Sequence, residues 1–288
     1  QKLKLAQERG ALALIEIHDF EKEYWENVVH YNERGAVSLA DNASMNDSKT
    51  AHLWINATDL ALEKISNAEL ILKGGKDEIV NSYNVVGMVE GTDPKLKDEF
   101  IIYSAHYDHV GVGAPNAEGD SIYNGARDNA VGTVTVLSAA ENIAKYPTKR
   151  SALFILFTAE EKGLLGSKYY VENPLISLDK MVYCFNSDNA SYNDTSKATI
   201  VGLNRTTASD HIKTAASAFG ITAIDDPAPE QGLFDRSDNV HFAKKGIPAP
   251  TFSLGFTAFD AEVFKYYHQP ADNPDNLDYD YLHKFFSA

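Results

Sequence analysis

The chain has a single cysteine, Cys184, among its 288 residues. An internal disulfide is therefore excluded. The thiol sits inside MVYCFN, a buried-strand pattern rather than a strand-to-helix turn, so it reads as core and not as a nucleophile. No G-x-S-x-G elbow is present, which removes the hydrolase class built on that strained serine turn. Basic residues are scarce: 26 Lys and Arg stand against 41 Asp and Glu, a net charge of −15. A surface of that sign argues against nucleic acid and anionic membranes as partners. No apolar run approaches the roughly 20 residues a membrane helix needs. The longest, ALALIEI and ALFILF, are strand-sized, so no membrane insertion is expected. Internal repeats and low-complexity tracts are absent as well. The chain opens on Gln1, without Met, in a helical pattern (KLKLAQERG), and a processed N-terminus is expected.

What is present suits a globular protein. Apolar residues make up 44% of the chain, enough for a core. The length allows one large domain or two modest ones, and two textures divide it. Residues 1–80 read as helix, strand (ALALIEIHD), polar stretch (DNASMNDSKT), short strand (AHLWIN) and helix (TDLALEKISN), followed by a turn or linker, KGGKDE. Residues 81–288 alternate strands with helices. NVVGMVEG, FIIYSAHYD, ALFILFT, MVYCFNSD, ATIVG and APTFSLG read as strands. Residues 131–145, 163–172, 206–219, 238–245 and 277–286 read as helices. This alternation predicts an α/β fold with a mixed, mostly parallel central sheet and helices on both faces. Sites in such sheets form where the strands end.

The ends of these strands carry unusual chemistry. ALFILFT runs into Glu160 and Glu161, two adjacent carboxylates that repel each other where dielectric is low. Thr158, Ala159, Glu160 and Glu161 spell a capping box, so a helix start is one reading. A metal site with a neighbouring general base is the other. FIIYSAHYDH delivers His106, Asp108 and His109. The loop after it ends in Asp128 and Asn129, MVYCFNSD delivers Asp188, and KYYHQPADNPD delivers His268. Singly, each has a plain alternative: Asp128 as a helix cap, His109 as a solvated residue, Asp188 as a turn residue. Together they place metal-ligand types from five segments at one sheet edge.

Two histidines and three carboxylates exceed what one catalytic zinc holds. They suit two metals about 3.5–4 Å apart with one carboxylate shared. Two divalent ions are then neutralised by three carboxylates and a bridging hydroxide. Glu160 remains as an uncoordinated proton acceptor.

In this order, HYDH, NGARDNAVG, FTAEEKGLLGS, NSD and YHQPAD resemble the di-zinc exopeptidases of metallopeptidase family twenty-eight, which includes leucyl aminopeptidases and aminopeptidase Y. The resemblance covers about residues 82–288. It implies two zinc ions per chain and a peptide substrate. One ion would be held by His106 and Asp188, the other by Glu161 and His268, with Asp128 bridging. It further implies Glu160 as general base, Asp108 as the residue orienting the His106 imidazole, and Tyr267 as an oxyanion donor. A cis peptide between Asp128 and Asn129 and an exported (periplasmic or extracellular) location are implied too. The first 80 residues resemble part of a protease-associated domain.

Arg127 departs from the acidic residue common in the family before the bridging aspartate. It is expected to point away from the metals; pointing in, it would bind a substrate carboxylate. Asp238 in DRSDNVHF matches a family pair without a derivable role. Residues 225–242 are expected near the specificity pocket. The activity expected is aminopeptidase. The alternatives are a carboxypeptidase on the same fold, using Arg127, Arg205 or Arg236, and a one-zinc transferase resembling glutaminyl cyclases. Asn129 and the TAEE element follow the peptidase pattern. No ligand is missing, which speaks against a receptor-like relative without metals.

Overall fold

The computed structural model describes residues 1–33, 37–40, 50–57, 69, 71 and 78–288. The chain forms two compact units, Gln1–Asn81 and Ser82–Ala288. The first contains α1 (Lys2–Glu8), β1 (Ala13–His18), α2 (Lys22–Glu33) and β2 (Ala51–Asn56). β1 and β2 pair in parallel from Ala13 opposite Ala51 to His18 opposite Asn56. A parallel pair needs a crossover connection, and α2 lies in it. This helix is absent from the sequence reading, because its apolar residues Trp25, Val28 and Val29 are diluted by charged and polar neighbours. The Asn56 side chain closes the strand ends: it accepts from the Phe20 N–H at 2.7 Å and donates to the Phe20 carbonyl at 2.9 Å. The helix expected at TDLALEKISN lies outside the described residues, as do nearly all of DNASMNDSKT and KGGKDE.

The second unit holds β3 (Val85–Val89), β4 (Phe100–His106), β5 (Gly111–Val112), β6 (Ile122–Tyr123), α3 (Gly132–Lys145), β7 (Ser151–Phe157), α4 (Leu165–Glu172), β8 (Met181–Ser187), β9 (Lys197–Val201), α5 (Ser209–Ala218), β10 (Thr222–Ile224), α6 (Asn239–Ala243), β11 (Thr251–Leu254), α7 (Ala261–Phe264) and α8 (Tyr279–Ser287). Seven strands form one sheet in the order β10-β9-β11-β8-β4-β7-β3. β4 pairs in parallel with both β7 and β8; β3 with β7 and β11 with β9 are antiparallel. The mixed, mostly parallel sheet expected from the alternation is therefore present.

Successive residues of β7 explain why its sequence is apolar throughout. Leu153, Ile155 and Phe157 pack with Tyr170 and Val171 of α4 and Phe242 of α6. Ala152 and Phe154 face the other way, onto Val136 and Ile143 of α3. Period-two alternation thus buries both faces of one strand. A third cluster joins Ile212 and Ala216 of α5 with Tyr281, Leu282 and Phe285 of α8 over Ile200 and Leu254. Burying an isoleucine such as Ile155 contributes about 1.5–3 kcal/mol. Cys184 is wholly buried, and burial pushes its thiol pKa up to about 12. β10, α7 and the β5–β6 hairpin, two to four residues per element, were not expected from the sequence.

Candidate metal centre

Parallel register puts the carboxyl ends of β7, β4 and β8 at one edge. His106 is paired with Phe157 on β7, and Ser104 with Asn186 on β8. Two residues further, His106 and Asp188 are level, and the His106 Nε2 lies 3.2 Å from Asp188 Oδ1. The His106 Nδ1–H donates to the main-chain carbonyl of Asp108 at 3.0 Å. That bond fixes the ring and leaves Nε2 as the ligand atom.

Here the geometry differs from expectation. Asp108 does orient the imidazole, but through its carbonyl; its carboxylate stands 3.8 Å from Nδ1. The carboxylate instead accepts the N–H groups of Glu160 at 3.1 Å and Glu161 at 3.2 Å. The capping-box reading is corrected by the same contacts. α4 begins only at Leu165, after a turn in which Gly163 and Leu164 donate to the Glu160 carbonyl. Leu164 takes φ 59, which no continuous helix from Thr158 permits. The Thr158 hydroxyl meets that of Ser82 and caps nothing.

Asp128 lies in the turn Ala126–Val131 that precedes α3, and its peptide bond to Asn129 is cis. Asn129 ties this turn to the sheet. Its amide donates to the Ser187 carbonyl at 2.9 Å, and its oxygen accepts from Gly132 N–H and the Asn189 amide. A Cβ at Gly132 would stand 2.2 Å from that oxygen, so only glycine fits. Beneath the turn, the fully buried Asp272 accepts the N–H groups of Arg127 and Asp128. Arg127 points away from the ligands, as expected. Its guanidinium lies 3.2 Å from Asp272 Oδ1 and 3.7 Å over the Tyr266 ring. A guanidinium so enclosed has no capacity for a substrate carboxylate. Arg205 stacks on Phe234 at 4.1 Å and lines a cavity of about 250 Å³ with Gly202 and Pro248, none of which belongs to the ligand groups. Arg236 alone of the three arginines reaches the centre's rim, donating to the Tyr267 hydroxyl at 3.2 Å.

His268 adopts φ 54 and brings its Nε2 to 3.2 Å from Asp128 Oδ2 and 3.1 Å from Glu161 Oε2. The Tyr267 ring stacks on it at 4.1 Å. His109, a metal-ligand candidate whose plain alternative is a solvated residue, has a side chain only 9% exposed, with Nδ1 2.9 Å from Glu161 Oε1 and 4.0 Å from Asp128 Oδ2. Among the described residues, two groups have ligand atoms within 4.8 Å of one another: His106, Asp128 and Asp188, and His109, Asp128, Glu161 and His268. Asp128 belongs to both.

The charges of the protein alone are those of a site awaiting cations. Burial works to raise Asp128, but hydrogen bonds from His106 and His268 outweigh it and hold the carboxyl well below its usual range. Burial likewise opposes Glu161, yet His109 and His268 bring it down to about 2. Burial lowers His268, and Asp128 and Glu161 lift it to about 10. His106 is also carried well above its usual value, against its burial, chiefly by Asp188 and Asp128. Glu160 has no such partner: burial, then Asp188, pushes it up to about 10. Asp238, buried nearby, is pushed up to about 7 by burial. Imidazolium protons here stand in for positive charge. A divalent ion bound by these residues would take their place and reverse the local pKa order. Imidazole and carboxylate donors at these separations fit zinc.

The sequence profile of Peptidase family M28 matches residues 84–288. Aminopeptidase YwaD of Bacillus subtilis (strain 168) is 29% identical over 286 residues, which cover 96% of this chain and 55% of that protein. A crystal structure of BSAP, a zinc aminopeptidase from Bacillus subtilis, aligns with 71% of this chain and 47% of its own at a TM-score of 0.54 and 25% identity. An aminopeptidase from Aneurinibacillus sp. strain AM-1 shares the fold over 99% of this chain and 64% of its own, at a TM-score of 0.64 and 22% identity. The chain spans about half the length of the curated relatives it matches. A profile match through β3 to α8, the whole seven-stranded sheet and all six residues of the two ligand groups, carries one conclusion: this chain belongs to Peptidase family M28.

Proposed function

We propose that the chain is a metal-dependent aminopeptidase whose centre takes two zinc ions. The carrying observation is that two ligand groups share one carboxylate, Asp128, while Glu160 beside them belongs to neither. The names of the relatives, a zinc aminopeptidase among them, support the reading. In it, His106 and Asp188 would hold one ion, Glu161 and His268 the other, and Asp128 would serve both.

When bound, the ions polarise the scissile carbonyl and lower the pKa of the attacking water. The protein's own residues do the rest. Glu160, fixed by its N–H on Asp108, accepts the water's proton and returns it to the leaving amine. Next to a pair of cations its carboxylate is ionised, as a base must be. Tyr267 accepts from Arg236, which leaves its own proton free for the oxyanion. Burial and the Asp128 charge raise its pKa, so the proton stays on. A one-zinc transferase would need only one ligand group; the second favours the peptidase.

The test pairs a metal count with two substrates, an aminoacyl anilide and an N-blocked dipeptide. Two zinc ions per chain and turnover of the anilide alone are expected. Hydrolysis of the blocked dipeptide alone, or one ion at saturation, would overturn the reading.

A further inference from the structure

We propose that His109 is a fourth protein ligand at one of the two metal positions, making the pair unequal. One position is enclosed by His109, Asp128, Glu161 and His268. The other, with His106, Asp128 and Asp188, keeps a coordination site open. The proposal rests on the metal-centre reading above.

Three observations carry it. First, the His109 ring is buried, and neither ring nitrogen makes a well-directed hydrogen bond. Glu161 Oε1, the atom nearest to it, lacks one too. Buried polar atoms without partners are rare, and a missing cation is an accepted cause. Second, the separations suit a tetrahedral ion. Zinc with ligands at about 2.0–2.1 Å sets neighbouring ligand atoms about 3.3 Å apart. The separations here are 2.9 Å (His109 Nδ1 to Glu161 Oε1), 3.1 Å (His268 Nε2 to Glu161 Oε2), 3.2 Å (His268 Nε2 to Asp128 Oδ2) and 4.0 Å (His109 Nδ1 to Asp128 Oδ2), so that the two Glu161 oxygens each face one imidazole. Third, the ring is seated. A Cβ at Gly125 would fall 2.6 Å from His109 Cγ and 2.8 Å from Cδ2, so the space for this ring exists only because residue 125 is glycine at φ 63. On its other side the His268 ring meets it edge to face, with centroids 5.6 Å apart.

Four protein ligands make a closed, tightly holding zinc position, while three leave room for water or substrate. The enclosed position therefore fills first, and substrate oxygen enters at the His106 position.

The test uses the purified protein stripped with chelator and given one equivalent of zinc. X-ray absorption then counts imidazoles on that ion. Two are expected in the wild type, from His109 and His268, and one in His109→Ser and His109→Gln. Chelator competition should show the first zinc bound at least about tenfold more weakly in both variants. Glutamine can still hydrogen-bond Glu161, so full recovery of affinity in His109→Gln would reduce His109 to a positioning residue and overturn the proposal. A single imidazole in the wild type overturns it without any variant. Failure of the wild type to retain zinc would instead overturn the metal-centre reading itself.

Discussion

The carboxylate of Asp108 grips the main-chain N–H groups of both Glu160 and Glu161, one on each oxygen. Its own carbonyl meanwhile holds the His106 ring. One residue just after β4 thus positions a candidate ligand on its own strand and the proposed base and candidate ligand that follow β7. Asp108→Ala removes two charge-assisted hydrogen bonds, each worth roughly 1.5–3 kcal/mol. We expect zinc affinity to fall about 10- to 100-fold, read by chelator competition, with turnover lost in parallel. Asp108→Asn keeps one acceptor and should fall between. Unchanged affinity in the alanine variant would remove Asp108 from the support of the centre.

Glu160→Gln separates base from ligand. The side chain belongs to neither ligand group, so zinc content should stay at the wild-type level by elemental analysis. Turnover of an aminoacyl anilide should drop about 10²- to 10⁴-fold. Near-normal turnover would contradict the assigned role.

Arg127 and Asp272 form a buried pair whose breaking leaves a charge uncompensated. Arg127→Met should destabilise the protein by about 3–5 kcal/mol in urea unfolding. Asp272 retains the two main-chain N–H groups, so the loss should sit at the low end of that range. A change under 1 kcal/mol would mean that the main-chain N–H groups on Asp272, rather than the charge pair, hold the turn.

Without metal, stability should fall as pH rises. His268 is raised to about 10 and His106 also lies above its ordinary value, so each holds a proton in the folded state that the unfolded chain releases near 6.5. Each contribution is complete below about pH 6.5; that of His268 is lost as pH climbs through about 10, and that of His106 as pH climbs through its own raised pKa. Glu160, raised to about 10, acts in the same direction from about 4.5 upward. Asp128 and Glu161 oppose this only in acid: Glu161 loses its contribution as pH falls from about 4.5 through about 2, and Asp128, lowered from about 3.8, loses its own in still stronger acid. Thermal melting in chelator should show a declining Tm from pH 6.5 to 10. Zinc affinity should rise over the same interval, since binding releases the imidazole protons. A flat metal-free Tm would show that the histidines are neutral.

Most of the sheet can be read from the sequence because the signals are local. The uninterrupted ALFILF run, buried on both faces, specifies β7 by itself. The ligand edge follows from parallel register, which brings His106 and Asp188 level once β4 and β8 are neighbours. The misreadings have a common physical cause. The Thr158–Glu161 capping box is sound local chemistry, but an acceptor from another strand, Asp108, takes the amides and Leu164 reverses the backbone. A solvated His109 stays open as an alternative in the sequence because its burial depends on Gly125 and His268, which no window around HYDH contains. α2 was missed through weak periodicity, and β10 and α7 because three or four residues carry too little pattern.

The pairing of Arg127 with Asp272 joins residues 145 positions apart in the chain. A polypeptide emerging from the ribosome exposes His106, Asp128 and Glu161 well before the turn that carries His268 and Asp272. Until that later turn arrives, the Asp128 segment lacks the carboxylate beneath it and the centre lacks an imidazole. Contacts between residues so far apart in the chain carry a large loop-closure cost and are slow to form. In the proposed aminopeptidase the centre would therefore be assembled only with this later turn, and the incomplete chain would be catalytically silent.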